Sequence, residues 1–578
     1  MFVQLRKAAI AAAVVVAASS IAIGCGDSKG GGGDGGTSDK LAAKQEIVVN
    51  MGDETEPGNF TPAAMSYLDA INTKGYVQFA GLYRLEGQEN EVVPSLATGE
   101  PEISEDGLTY TIKMRDDANW SDGKPIVADD LVAAVRYALD PDTGAYFATF
   151  LTSIVGACES LAGDDKEALE ACPAPRTSGK PEEIGVTAVD DHTVQIKLRK
   201  AVPWFKQLLT IQIFYPVRED QLQKLGKKYG QDPSTAASGP FKIESYTPGG
   251  DIVFVKNDKY FNADDVKLEK ITFRSVAEPN TAAQDFERGR LDTGIQNIMF
   301  PSEEIDKWKA DDRFVSSQTV GTQYMYMNTR NPALSDPKVR QALALAINRK
   351  DIVENITKKG DVPTNTIVPP AVPGADVWSE GAQDFLSDDG TPDIEKAKSL
   401  LDEAGWDGKT TLNLYYVSDS SNAARIGEQI QSNLAEVGVK VKLQPTTGDV
   451  FSTVGIGISP TDKKVDLVLQ GWIQDYLDAQ DWYQLFFSEN IDAGLNNSNY
   501  SSKEYDKIYD EAISTVDDDA RFDVYKQLEA QLTGPDGDMP AAPLYAQADA
   551  TLVQPWVKGF ELIPAGILYW ENVSITEH

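Results

Sequence analysis

The sequence predicts an α/β protein. Three observations carry that prediction. Strand-period and helix-period segments alternate through the second half of the chain. One stretch there reads as a complete β-α-β unit. The chain, at 578 residues with 41% apolar content, is globular but too long for one core.

The elements follow in chain order. "MFVQLRKAAIAAAVVVAASSIAIGCG" has a basic start at Arg6 and Lys7, then an apolar run from Ala8 to Ile23. It reads as a signal peptide over residues 1–24, since the run is short for a spanning helix. The small residues before Cys25 resemble a bacterial lipoprotein box, with Ala22 where Leu is usual. That resemblance implies a lipid on Cys25. "GDSKGGGGDGGTSDK" follows and is a flexible tether, so residues 25–44 are expected to link an anchor to a folded body.

Short strands are expected at "QEIVVNMG" (45–52), "LTYTIKM" (108–114), "HTVQIKL" (192–198) and "DIVFVKN" (251–257). Region 90–235 therefore reads as strands and turns. In "WSDGKP" (120–125), Asp122-Gly123 suits a tight turn. A helix opens at Asp336-Pro337, with Val339, Leu343, Ala346 and Ile347 on one face. Another covers "TPDIEKAKSLLDEAGW", with Ile394, Ala397, Leu400 and Leu401 inward and Gly405 as the stop. The β-α-β unit is "LNLYYVSD" (412–419), a helix with Ile426, Ile430, Leu434 and Val437 inward and Gly438 at its end, and the strand Val439-Val441-Leu443. "VDLVLQGW" is a further buried strand, and it runs straight into "IQDYLDAQDW". Strand ends of α/β domains are where ligands sit.

The formal net charge of −36 repels nucleic acid and anionic headgroups alike. Three cysteines exist: Cys25, Cys158 and Cys172. With Cys25 lipidated, the remaining pair is expected to form a disulfide in an exported protein, stabilising by roughly 3 kcal/mol. Only His192 and His578 are present, so a His-rich zinc site is excluded by count. A Ser-His-Asp site would need His192 and lacks a G-x-S-x-G motif. A two-carboxylate glycosidase stays open on residue counts alone, because acids are abundant.

Several stretches in register carry a resemblance. They are "FAGLYRLEGQENEVVPSLATGEPEISEDGLTYTIKMRDDANWSDGKPIVADDLVAAVRYALDP" (79–141), "SGPFKIESYTPGGDIVFVKNDKYF" (238–261), "GTQYMYMNTRNPALSDPKVRQALALAINRKDIV" (321–353), "AKSLLDEAGW" (397–406), "GWIQDYLDAQDW" (471–482), "YSSKEYDKIYDEA" (500–512) and "LVQPWVKGF" (552–560). Together they resemble the extracellular solute-binding proteins of the peptide/nickel-type ATP-driven importers. The resemblance implies a two-lobed periplasmic-binding-protein-like fold with a deep cleft, two interlobe crossings near 318–323 and 543–548, and an extra β-rich subdomain in the N-terminal lobe. The implied division is lobe I at 45–89, 236–318 and 546–578, the β-rich subdomain at 90–235, and lobe II at 319–545.

The resemblance also implies a site. Asp475 matches the residue that pairs with a peptide's α-ammonium group, with Trp472 as a wall. The physics fits, because a buried ammonium needs a carboxylate. The alternative is a turn cap at Asp475 and a core Trp472. Asp478, followed by Ala479 rather than the family's Pro, and Asp481 read as helix caps before "WYQLFF". Tyr324 and Tyr326 share one strand face and either line the cleft or pack in a core. Leu544-Tyr545-Ala546-Gln547 replaces a tyrosine run, which leaves Tyr545 and Gln547 as candidates on a thinner aromatic lining. The acids of "GDETEPGNFTP" (52–62) are weaker candidates.

The expectation is thus a binding lipoprotein, not an enzyme, with no catalytic residue, metal or cofactor. It would capture peptides between closing lobes and deliver them to permease subunits served by a cytosolic ATPase. A monomer on the outer face of the cytoplasmic membrane is expected. An oligosaccharide ligand on the same fold is the alternative.

Overall fold

A computed structural model describes residues 40–52, 60–65, 75–174, 176–295, 299–310, 312–418, 421–446, 465–491 and 494–578. The signal-peptide segment 1–24, Cys25, residues 26–39 of the tether, and Asp53, Glu54 and Glu56 of the first loop lie outside the described residues.

A five-stranded sheet forms around the first strand, in the order Thr293–Gly294, Glu46–Asn50, Lys270–Arg274, Ile252–Lys256, Phe241–Tyr246. Its alternation is that of the sequence: Ile47, Val49, Ile252 and Phe254 all point into the core. The C-terminal segment returns to this sheet. Gln45 binds both backbone groups of Ile575, accepting at 2.9 Å and donating at 2.8 Å, and Trp570 packs edge-on against Phe273.

A separate four-stranded sheet holds Glu102–Ile103, Thr109–Lys113, Thr193–Lys197 and Val186–Asp190 in that order. Region 90–235 carries more helix than its strand-and-turn reading expects, including Ala128–Ala138, Ala157–Ala162, Lys166–Ala171 and Glu219–Leu225. The reason is visible in "ADDLVAAVRYA": Ala128, Leu131, Val132, Val135 and Ala138 make one buried stripe. Asp130 fixes the start of this helix. It accepts from the Val127 N–H at 3.1 Å and from the Trp120 indole at 2.9 Å. Gly123, at φ +86°, makes the "WSDGKP" turn, with its N–H bonded to Trp120 O. Cys158 and Cys172 are joined by a disulfide. Beside it a buried ion pair links Arg199 to Glu159 at 2.7 Å.

The β-α-β unit lies in a six-stranded sheet ordered Val362–Pro363, Ala541–Leu552, Phe314–Met327, Leu467–Ile473, Thr411–Val417, Lys440–Thr446. Thr411–Val417 and Lys440–Thr446 are parallel, joined through the helix Ser421–Glu436. Ile426, Ile430, Leu434 and Val437 are buried beneath it, each contributing about 1.5–3 kcal/mol. The helices Pro337–Ala346 and Ile394–Glu403 start where expected, with Asp336 accepting from Lys338 N and Asp393 from Lys396 N, both at 2.9 Å.

Two strands cross between cores. Phe314–Met327 and Ala541–Leu552 run antiparallel, and their register shifts between Gln318 and Thr322. On one side of that shift, Phe314, Ala550 and Leu552 pack with Phe286 and Trp308. On the other, Met325, Met327 and Leu544 face one core, and Tyr324, Tyr326 and Ala541 face another.

Candidate functional site

The strand Leu467–Ile473 lies between the first crossing strand and Thr411–Val417, so its residues Leu467 to Leu469 are buried. Beyond Ile473 the chain is pinned by Gln474, whose N–H donates to Val320 O and whose amide donates to Ala565 O. The three acids that follow take three different environments.

Asp481 is fully buried in the short helix Gln480–Tyr483. It does not cap that helix but reaches back, accepting from the Asp475 N–H at 2.7 Å and the Trp472 indole at 3.3 Å. Asp478 does accept from the Gln480 N–H at 2.9 Å, as a cap would. It also pairs with buried Arg521 at 3.0 Å and accepts from Tyr525 O–H at 2.5 Å. Burial works against the Arg521 charge, but Asp478, Tyr525 and Asp518 outweigh it and hold the guanidinium firmly protonated.

Asp475 is different. It is half-buried, and among the described residues no cation or hydrogen-bond donor reaches its carboxylate. Burial alone pushes its pKa up to about 7. Asp481 is pushed up too, first by burial and then by the charge on Asp475. The two carboxylates therefore titrate as a pair, with no cation among the described residues paired to either.

Trp472 is half-buried, its indole held by Asp481 and its ring against the core of Tyr324 and Tyr326. Tyr324 and Tyr326 take the core alternative: both are 0% exposed, and Tyr324 donates its hydroxyl to Ile367 O. Tyr545 is also buried, opposite Gln323 on the neighbouring strand. Gln547 is half-buried at the crossing, 3.4 Å from Gln323 amide to amide. The pair sits over Gly471 and Gly321. A Cβ on Gly471 would lie 2.8 Å from the Gln547 Nε2, and one on Gly321 would lie 2.7 Å from its Oε1. Sequence reasoning missed Gln323. Its signal was its position one before Tyr324, which alternation turns to the opposite face of the strand.

Neither histidine stands in this group of residues. His192 lies in the turn between Val186–Asp190 and Thr193–Lys197, and His578 stacks on Trp556 at 4.2 Å. Among the described residues no three His, Cys, Asp or Glu side chains are arranged to hold a metal ion, and no helix is long and apolar enough to cross a membrane.

The chain was compared with known proteins. The profile of the bacterial extracellular solute-binding proteins, family 5 middle, matches residues 91–494. The oligopeptide-binding protein OppA of Bacillus subtilis is 28% identical over 94% of this chain and 95% of its own. The structure of the Escherichia coli murein tripeptide binding protein MppA superposes with a TM-score of 0.71 at 27% identity, covering 93% of this chain and all (100%) of that one. The Haemophilus influenzae OppA complex with RPPGFSPFR gives a TM-score of 0.71 at 25% identity, covering 93% and 100%.

Proposed function

Since the chain belongs to the bacterial extracellular solute-binding proteins of family 5, with their two-lobed fold, we propose that it binds peptides in its interlobe cleft through their free α-ammonium group. One observation carries this reading. Of the three acids after the strand Leu467–Ile473, Asp478 and Asp481 are occupied by protein donors, while Asp475 alone has none among the described residues. A desolvated carboxylate with no partner is costly, and an ammonium group removes that cost. The names of the relatives, which are peptide-binding proteins, support the same ligand class.

Trp472 then walls the pocket beside the amine, and the Gln547–Gln323 amides offer donors and acceptors to the ligand backbone. Tyr324, Tyr326 and Tyr545 support the site from behind. Lobe I is 45–89, 236–318 and 546–578, with a subdomain at 90–235, and lobe II is 319–545, a division the return of Ile575 to Gln45 and the two crossing strands support. The partners are a membrane permease and its cytosolic ATPase, with Cys25 carrying a lipid and a tether that ends before residue 40 rather than at 44, because Lys40, Leu41 and Ala42 pair with the backbone of Ile575, Thr576 and Glu577.

Calorimetry with a random tetrapeptide mixture, free and N-acetylated, tests the reading. The free mixture binds, and acetylation or Asp475→Ala weakens binding by about 100-fold. Equal binding of the free and acetylated mixtures would overturn the Asp475 assignment. Binding of an oligosaccharide mixture in place of peptides would overturn the ligand class.

A further inference from the structure

Tyr476 follows Asp475 directly and is built into lobe II at both ends. Its carbonyl accepts from the Asp478 N–H at 3.0 Å, and its hydroxyl donates to Gln480, whose amide in turn donates to Tyr509. Its ring goes elsewhere. It lies parallel to Trp204, with centroids 6.2 Å apart and planes 6° apart, and meets Phe150 edge-on at 5.4 Å. Trp204 and Phe150 belong to region 90–235 of lobe I. Among the buried residues of 319–545 that are described, Tyr476 alone joins the core of region 90–235, while its neighbours Leu477 and Ala479 pack in a second core that lobe II shares with Leu85, Ile563 and Ile567 of lobe I.

We propose that Tyr476 is the latch of lobe closure, and that its position next to Asp475 is what makes closure depend on the ligand's amine. The proposal rests on the reading of Asp475 above. Closing the lobes seats the Tyr476 ring between Phe150 and Trp204, which favours the closed form whatever is bound. The same movement removes water from the Asp475 carboxylate, which opposes closure unless a cation is present. The Tyr476 ring adds a contact that favours closure, and the residue before it opposes closure until the amine arrives. A ligand shifts such an equilibrium only by binding one state better, and the ammonium–Asp475 contact supplies that difference. Phe150 and Trp204 are half-buried rather than sealed in their own core, as a receiving slot requires.

The test is a double-mutant cycle of Tyr476→Ala and Trp204→Ala on the full chain, read by the dissociation rate of the free random tetrapeptide mixture and by small-angle scattering. Each single variant speeds dissociation about tenfold, and the double variant speeds it no further than either single one. Tyr476→Phe, which keeps the ring, dissociates like the parent protein. Scattering shows the empty Asp475→Asn protein, which closes without ligand, more compact than the same protein carrying Tyr476→Ala or Trp204→Ala. Unchanged dissociation, or effects of the two variants that multiply, would overturn the latch. If no tetrapeptide binds the parent protein, the peptide reading fails by itself. The latch is then decided by scattering: equal dimensions for Asp475→Asn with and without either Ala change sink it.

Discussion

The backbone N–H of Asp475 donates to the carboxylate of Asp481 at 2.7 Å, while the Asp475 carboxylate itself faces no cation among the described residues. One acid holds the other in place and is itself pushed up by burial and by the charge of the acid it holds. Binding should therefore depend on pH at both ends of a narrow window. Burial pushes the Asp475 pKa up to about 7 in the empty protein, and an ammonium partner lowers it, so below that value binding must first expel a proton. Affinity falls about tenfold per unit there. Above about pH 8 the peptide's own α-amine loses its charge, and affinity falls again. Calorimetry from pH 5 to 10 should give a bell with its maximum between about 7 and 8. A flat profile across that range would mean that Asp475 does not carry the contact.

The same raised pKa makes Asp475 a burden on the fold. Its folded value lies above its ordinary 3.8, so ionising it opposes folding. That penalty is fully present above pH 7 and fades as pH falls from 7 towards 3.8. Asp475→Asn should raise the melting temperature of the empty protein at pH 8, by about 1–2 kcal/mol of stability after allowing for partial exposure, and change it little at pH 4. The variant should also close without ligand in solution scattering. A lower melting temperature at pH 8 would contradict this account.

Asp478 lies three residues away and should behave in the opposite manner. Removing it leaves the Arg521 guanidinium, whose side chain is 1% exposed, with only the exposed carboxylate of Asp518 at 2.8 Å, and deprives the Tyr525 hydroxyl of its acceptor. Asp478→Ala should cost about 3–5 kcal/mol in urea unfolding. Peptide affinity measured on the remaining folded protein should change by less than about threefold, against about 100-fold for Asp475→Ala. Loss of affinity without loss of stability would exchange the roles of the two acids.

Much of this was legible in the sequence, and the boundary has physical causes. The helices announced themselves because Asp336 and Asp393 are caps read from three or four neighbouring residues. The strand before Asp475 was legible because it opens on the apolar run Leu467-Val468-Leu469. The tyrosines were not. Alternation places Tyr324 and Tyr326 on one face of the strand, but it cannot say whether that face meets a cleft or a core, and here they pack together with centroids 5.3 Å apart. Nor could it show that Tyr476 meets Trp204, because 272 positions separate them and only the tertiary fold brings them together. Arg521 as the partner of Asp478 was hidden for the same reason. The helix of region 90–235 was legible in "ADDLVAAVRYA" but was overshadowed by the alternating strands around it.

Membrane attachment has its own test. Cys25→Ser, expressed from the full chain in a bacterial host given a radiolabelled fatty acid, should lose the label that the parent protein carries. The variant should pass from the membrane fraction to the soluble extracytoplasmic fraction, since the acidic body has no charge attraction for anionic headgroups. A labelled variant would place the lipid elsewhere.

The last prediction concerns the glycine beneath the amides. A Cβ on Gly471 would lie 2.8 Å from Gln547 Nε2, 2.9 Å from Gln323 Oε1 and 3.0 Å from Thr322 O. Two of these atoms end flexible side chains and can move, but the third is strand backbone and cannot. Gly471→Ala should therefore cost about 1–3 kcal/mol in urea unfolding and push the Gln547 amide away from Gln323. If that amide reads the ligand, peptide affinity drops with it, by up to about tenfold. Adding Gln547→Ala should restore stability in part, because it removes one of the clashing groups, but should leave affinity low. Recovery of both together would mean that Gln547 only fills space at the crossing.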